Sequence, residues 1–297
     1  MLKRITLALL LAALAVPALA QEKPQEKLKV VATFSILADL VKNVGGDRVA
    51  VSALVGPNGD AHVYQPTPSD AKTLADAKLV VVNGLGFEGW LSRLVKASGT
   101  KAPTVVATKG VKPRKMEEHG HTETDPHAWQ SVANAKTYVA SIRDALVAAD
   151  PAGKAAYEAN ASAYLAKLDA LDAEVRDAVA KIPADRRRII TTHDAFGYFA
   201  AAYGVTFIAP QGVSTEAEVS AKDVARIITQ IKKQKIPAVF LENVTDKRLL
   251  ERIGAESGAR IGGTLYSDAL TDEKGEAPTY LDMMRHNVKQ LAAALTS

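Results

Sequence analysis

Residues 152–182 read AGKAAYEANASAYLAKLDALDAEVRDAVAKI, and the pattern in this stretch decides the architecture. Its apolar residues Tyr157, Ala161, Tyr164, Leu168, Leu171, Val175 and Val179 recur at intervals of three and four, the period that lines one face of an α-helix. Pro151 and Pro183 bound the stretch and no proline interrupts it, which sets the helix limits on both sides. At 1.5 Å per residue such a helix spans roughly 45 Å, enough to run the length of a two-lobed molecule. A helix is a stiff connector, so small local movement is expected rather than wide hinge closure.

Short β-branched runs flank this helix in two sets of four. Leu28–Phe34, Val49–Val55, Leu79–Asn83 and Thr104–Thr108 precede it, and Arg188–Thr192, Val205–Ala209, Ala238–Glu242 and Arg260–Tyr266 follow it. Strands alternating with helical patterns predict parallel sheets with helical crossovers. The two sets also match: each opens with strand, turn, helix, Gly, strand, Pro, and Lys96-Ala97-Ser98-Gly99 corresponds to Ala255-Glu256-Ser257-Gly258. The expected fold is therefore α/β, two similar lobes, each a four-stranded and mostly parallel sheet flanked by helices. The expected divisions are a leader at 1–20, a lobe at 21–150, the connecting helix at 151–183 and a second lobe at 184–297. A chain of 297 residues exceeds the ~100–200 usual for one domain.

The leader reading rests on Lys3 and Arg4, the apolar run Ile5–Leu19 and the small residues before Gln21. That is the pattern of a secretory signal peptide. The run is shorter than the ~20 apolar residues needed to cross a bilayer. The chain has no cysteine, which excludes disulfides and a lipid-bearing thiol, so a soluble periplasmic product is expected. Gln21–Lys27 reads as a frayed terminus. The net charge of +4 is spread among acidic residues, unlike a nucleic-acid footprint. Lys109–Pro126, with Glu117-Glu118-His119-Gly120-His121-Thr122-Glu123-Thr124-Asp125 inside it, lacks apolar periodicity and is expected to be a mobile loop.

Four residues stand where chemistry gathers in parallel sheets, beyond the carboxyl ends of strands. His62 follows the second strand, ahead of a helix whose cap is read as Ser69. His127 precedes the helix Val132–Ala149. His193 closes the fifth strand and Asp268 follows the eighth. Two come from each lobe. Three imidazoles and a carboxylate suit Zn²⁺ in a closed tetrahedral shell, and Asp60, Asp125 and Asp194 are near enough in sequence to orient the imidazoles. Each residue also has an ordinary reading: a solvated turn for His62, a helix flank for His127, a strand terminus for His193 and a turn cap for Asp268. Spacings of 65, 66 and 75 residues between them carry no metal signature of their own. His119 and His121 could form an auxiliary metal-capturing tract. His286 falls off the apolar face of the last helix and is expected at the surface. Phe87, Trp90 and Trp129 are read as wall or core.

Five motifs extend the reading: residues 31–39 (VATFSILAD), 60–66 (DAHVYQP), 125–129 (DPHAW), 192–199 (THDAFGYF) and 265–268 (LYSD). Together they resemble the metal-binding subgroup of solute-binding proteins that serve zinc and manganese ABC transporters, over the whole chain after the leader. The resemblance implies a metal held between two lobes joined by a long helix, with His62, His127, His193 and Asp268 as its ligands. It further implies a monomeric carrier that is not an enzyme and that delivers its ion to an inner-membrane ABC permease, with a periplasmic metallochaperone as a further candidate partner. Manganese-type members tend to carry Glu where His193 stands, so Zn²⁺ is the expected ion and Mn²⁺ or Fe²⁺ the alternative. Zinc-type members also tend to carry a His-rich loop before the second ligand, of which 117–125 is a sparse version. A zinc hydrolase with Asp268 as base is the rival from another class, and no repeat suggests an adhesin.

Overall fold

The first strand, β1 (Leu28–Phe34), is followed by α1 (Ser35–Gly45), and its last five residues are all buried. A strand buried on both faces belongs inside a parallel sheet covered by helices. The computed structural model of the protein describes residues 26–118, 121–216 and 218–296. The leader at 1–20, and residues 21–25 of the terminus read as frayed, lie outside the described residues. β1 pairs in parallel with β2 (Val49–Val55) on one side and β3 (Leu79–Val82) on the other, so Val30 stands between Val51 and Leu79. β4 (Thr104–Val106) completes a sheet of order β2-β1-β3-β4.

After the helical middle of the chain come β7 (Arg188–Ile190), β8 (Thr206–Ile208), β9 (Ala238–Glu242) and β10 (Arg260–Leu265). Their order is β10-β9-β7-β8, again all parallel. Reading β7 for β1, β8 for β2, β9 for β3 and β10 for β4, the two sheets have one topology. The eight strands thus appear in the places the alternation predicts.

The long helix is α5 (Lys154–Ala180). A 3-10 turn over Pro151–Gly153 takes up the first residues of the predicted span, because proline fits a first turn whose N–H groups are unpartnered anyway. Its buried residues are the seven that set the period. They pack against α4 (Val132–Ala149), α1 and the terminal helix α9 (Tyr280–Thr296). One continuous apolar core runs from the first sheet through these helices to Phe196, Phe199 and Phe240 on the near side of the second sheet. A smaller core lies beyond that sheet, formed by Ile190, Val224, Ile227, Ile231, Val239, Leu250 and Ile253 under α7 (Ala221–Gln234) and α8 (Lys247–Ser257). Among the described residues no helix is long and apolar enough to cross a membrane.

Three local readings are corrected. Two segments expected within a mobile loop, β5 (Arg114–Glu118) and β6 (His121–Asp125), pair as antiparallel strands. Their ladder is supported by side chains such as Lys115, whose ammonium donates to Thr124 Oγ1 at 2.8 Å, so pairing there needs no apolar face. The helix after His62, α2 (Pro68–Ala75), is capped by Thr67 rather than Ser69: Thr67 Oγ1 accepts from Asp70 N while Thr67 N donates to Asp70 Oδ2 at 2.6 Å. Pro68 at the first helical position shifts the start one residue ahead of the predicted cap. His286 is buried, with Nε2 3.0 Å from the Thr264 carbonyl and its ring against Tyr266. The face of α9 that the period leaves polar is covered by β10.

Candidate metal centre

The tips of the two sheets face each other, and the loops leaving β2, β6, β7 and β10 carry His62, His127, His193 and Asp268 to one point. One potential ligand atom from each lies within 4.8 Å of all the others. His62 Nε2 is 3.2 Å from His127 Nε2 and 3.3 Å from Asp268 Oδ2. Asp268 Oδ2 is 3.1 Å from His193 Nε2, and Oδ1 is 3.6 Å from His127 Nε2. Donors around a tetrahedral ion with bonds of ~2.0–2.2 Å sit roughly 3.3–3.6 Å from one another, so these spacings suit a small cation at the centre. His127, His193 and Asp268 are buried and His62 is partly so. A cavity of about 610 Å³ opens over His62, bordered by Phe87, Val213 and the β6 residues Thr122–Thr124.

Each imidazole is oriented by its surroundings. His127 Nδ1 is 2.9 Å from Asp125 Oδ1, which also accepts the His127 backbone N–H at 3.0 Å, and Asp125 Oδ2 accepts from Arg114 Nη1 at 3.1 Å. His193 Nδ1 lies 2.6 Å from Glu242 Oε2, a close charge contact without hydrogen-bond alignment, while Glu242 Oε1 accepts from Thr192 N and His193 N at 2.7 and 3.0 Å. For His62, Asp60 Oδ1 accepts its backbone N–H at 2.9 Å and Asp60 Oδ2 accepts from Thr215 Oγ1 of the opposite lobe at 2.7 Å. Trp90 Nε1 donates to the Ala61 carbonyl at 2.7 Å and the His62 ring lies edge-on to Phe87. Phe87, Trp90 and Trp129 are buried wall residues, as read.

Of the three carboxylates expected behind the imidazoles, Asp125 takes that role and Asp60 holds the His62 backbone. Asp194 does not serve His193: Glu242 does. Glu242 is 49 residues away in sequence and reaches the site only because β7 and β9 are neighbours. The signal that could have found it is its place as the last residue of a strand, the same kind of position that singled out the four candidates. His119 lies outside the described residues. His121 is in β6, and its imidazole lies outside what is described.

The electrostatics describe a site built for a cation. Burial depresses the His62 pKa against the pull of Asp268. Burial would depress His193 too, but the charges of Glu242 and Asp268 outweigh it and hold His193 well above its usual value. Burial would raise Asp268, yet His193 and His127 hold it well below the carboxylate range. Even so, His193 Nε2 and both Asp268 carboxylate oxygens are buried without a hydrogen-bond partner. Buried polar atoms are rarely left so, and here they converge on one point, which an ion would satisfy.

Two facing α/β lobes with a buried cluster of nitrogen and oxygen donors define a binding protein for a metal ion. The family model for the zinc-uptake complex component A, periplasmic (ZnuA), matches residues 30–294, and the chain belongs to that family. It is 37% identical over 279 residues to the iron-binding protein YfeA of Yersinia pestis, covering 93% of this chain and 89% of that one. It is likewise 37% identical over 271 residues to the manganese-binding lipoprotein MntA of Halalkalibacterium halodurans, covering 91% and 89%. Among solved structures, the periplasmic zinc-binding protein TroA from Treponema pallidum superimposes with a TM-score of 0.87 at 33% identity, over 92% of this chain and 100% of that one. A manganese-bound periplasmic metal-binding protein from Candidatus Liberibacter asiaticus, carrying a Ser-to-Ala substitution, gives 0.84 at 31% identity, over 91% and 100%. This protein is therefore the metal-binding component of an ABC transporter, a class that works with a membrane permease and an ATPase. It is a transport protein, not an enzyme, and the hydrolase reading falls.

Proposed function

We propose that this protein captures Zn²⁺ in the periplasm with His62, His127, His193 and Asp268 and passes it to the permease of its importer. The observation that carries the reading is the convergence of four donor groups within 4.8 Å, with the donor atoms of His193 and Asp268 otherwise unpartnered. Three neutral imidazoles and one carboxylate form a borderline set that suits zinc, and four protein donors close the shell against catalysis. Zinc also stands above manganese and iron(II) in affinity for such ligands. In this reading the lobes comprise 21–150 and 184–297 with 151–183 between them, and the protein works as a soluble monomer once 1–20 is removed. The lack of any cysteine supports a form without a thiol-linked lipid. A metallochaperone supplying the ion is a further candidate partner.

The competing reading is Mn²⁺ or Fe²⁺ on the same donors, favoured by the names of the manganese- and iron-binding relatives. Metal analysis of the purified protein and competition titration among the three ions decide between them. Zinc should displace the others and His193→Ala should weaken it by orders of magnitude with the fold intact. An unchanged zinc titration in His193→Ala would remove the ligand assignment, and manganese outcompeting zinc would remove the zinc one.

A further inference from the structure

Asp268 follows a strand of the second lobe, yet the backbone around it is gripped by the first. Trp129 Nε1 and Gln130 Nε2 both donate to the carbonyl of Ser267, the residue before Asp268, at 2.8 and 2.7 Å. Two residues beyond Asp268, Leu270 N donates to Ser35 Oγ at 3.0 Å and the Leu270 carbonyl accepts from Asn58 N at 2.8 Å. The Trp129 carbonyl in turn accepts from Tyr280 Oη at 2.7 Å. His193 is anchored differently. Its backbone contacts run to Glu242, and those of its neighbours Thr192 and Asp194 to Gln211 and Gly212, all in the second lobe.

Gln130 is the informative member of this grip. It is fully buried, and its Oε1 has no hydrogen-bond partner. Leucine would fill nearly the same volume without an orphaned carbonyl, whose desolvation is unfavourable. Packing alone therefore does not account for an amide here, whereas the short bond from Nε2 to the Ser267 carbonyl does.

We propose that Gln130, with Trp129, is a positioning residue that ties Asp268 to the first lobe. His62, His127 and Asp268 then form a pre-set triad that meets the ion first, and His193 closes the shell from the other side. A ligand held within a few tenths of an ångström before the ion arrives releases it more slowly than one that must be ordered. The proposal rests on the ligand assignment above and adds the residue that makes one of those ligands rigid.

The test uses the mature protein with Gln130→Leu, Gln130→Met and Trp129→Phe, each of which removes one donor to Ser267. Zn²⁺ release into a chromophoric chelator gives the off-rate, and the absorption of the Co²⁺-loaded protein reports coordination. Each Gln130 variant should release Zn²⁺ about tenfold faster, in line with the 10–100-fold effects of residues behind metal ligands. Its Co²⁺ bands should shift, and its metal-free melting temperature should hold. Ile231→Val, in the core beyond the second sheet, is the control for lost stability and should leave release and spectrum unchanged. In a His193→Ala background Gln130→Met should still weaken Co²⁺ binding by the same factor, since it acts within the triad. Wild-type release rates and spectra in both Gln130 variants would overturn the proposal, as would an equal effect from Ile231→Val. A wild-type protein that binds neither ion would instead overturn the metal-carrier reading beneath it.

Discussion

The two halves of the metal centre orient their histidines by the same means and differ in how the carboxylate is used. In the first half one oxygen of Asp125 serves both the His127 backbone and its imidazole, and the second oxygen is left for Arg114. In the other half Glu242 divides the work, Oε1 taking two backbone N–H groups and Oε2 facing the imidazole of His193. Among the described residues no Lys or Arg lies within salt-bridge distance of Glu242, whereas Arg114 balances Asp125. The carboxylate behind His127 is thus charge-balanced and the one behind His193 is not. Burial works against the charged form of His193, and the unbalanced Glu242 together with Asp268 outweighs it, holding that imidazole above its usual pKa.

The division of labour predicts unequal costs for removing the carboxylate charge. Glu242→Gln must place its amide either against the backbone N–H groups or against His193 Nδ1. The second arrangement pushes the imidazole proton onto Nε2, the atom that faces the site. Zinc affinity should fall by about 100-fold, the upper end for groups behind a ligand. In Asp125→Asn the carbonyl oxygen can keep both of its bonds while the amide turns toward Arg114, so the loss should be nearer tenfold. Isothermal titration of the two variants checks the ranking, and equal losses would break the contrast.

Proton release sharpens the same difference. Glu242 and Asp268 favour the protonated form of a metal-free His193, and an ion must displace any proton held there. Binding should therefore release protons, and affinity should rise with pH over the range in which His193 gives up its proton. Glu242→Gln should abolish most of that release while Asp125→Asn retains it. Calorimetry in buffers of different ionisation enthalpy measures both.

Gly197 couples the halves. A Cβ at this first residue of α6 (Gly197–Tyr203) would come 2.2 Å from Arg114 Nη1 and 2.5 Å from Asp125 Oδ2, so the second lobe closes over the ion pair of the first only because no side chain intervenes. Gly197→Ala should separate Arg114 from Asp125 and destabilise the protein by about 1–3 kcal/mol, as overpacking does, with a smaller effect on zinc. Thermal melting with and without zinc tests this.

The smallest effect belongs to a group away from the ion, at the seam between α1 and α9. Burial pushes the Asp39 carboxyl up from 3.8 to about 6, against the Tyr280 N–H that it accepts at 2.9 Å. Because the folded state holds this proton more tightly than the unfolded one, its contribution to stability is full below about pH 4 and is lost as pH rises to about 6. Asp39→Asn should remove that slope, so that its melting temperature gains on the wild type between pH 4 and 6.

Asp125 could be read beside His127 because a turn places residues two apart in contact, and the sequence names both. Glu242 could not, since its contact depends on which strand lies next to β7. The pairing of β5 with β6 escaped for a related reason: apart from Met116 the two segments consist of polar residues, which leave no apolar alternation to find. His286 was misplaced because a helical period tells which side is apolar, not whether a strand covers the other side as well.

What the sequence determined by itself is what local periodicity encodes: the long helix with its seven buried residues, the eight parallel strands in two matching sets, and four donor residues at strand exits. What the tertiary structure decided is who meets whom: Glu242 behind His193, Arg114 behind Asp125, and Gln130 across the lobes onto the residue before Asp268. Periodicity follows from the geometry of one helix or strand and so is written in neighbouring residues. Partnership depends on strand order and on how two lobes pack, which neighbouring residues do not specify.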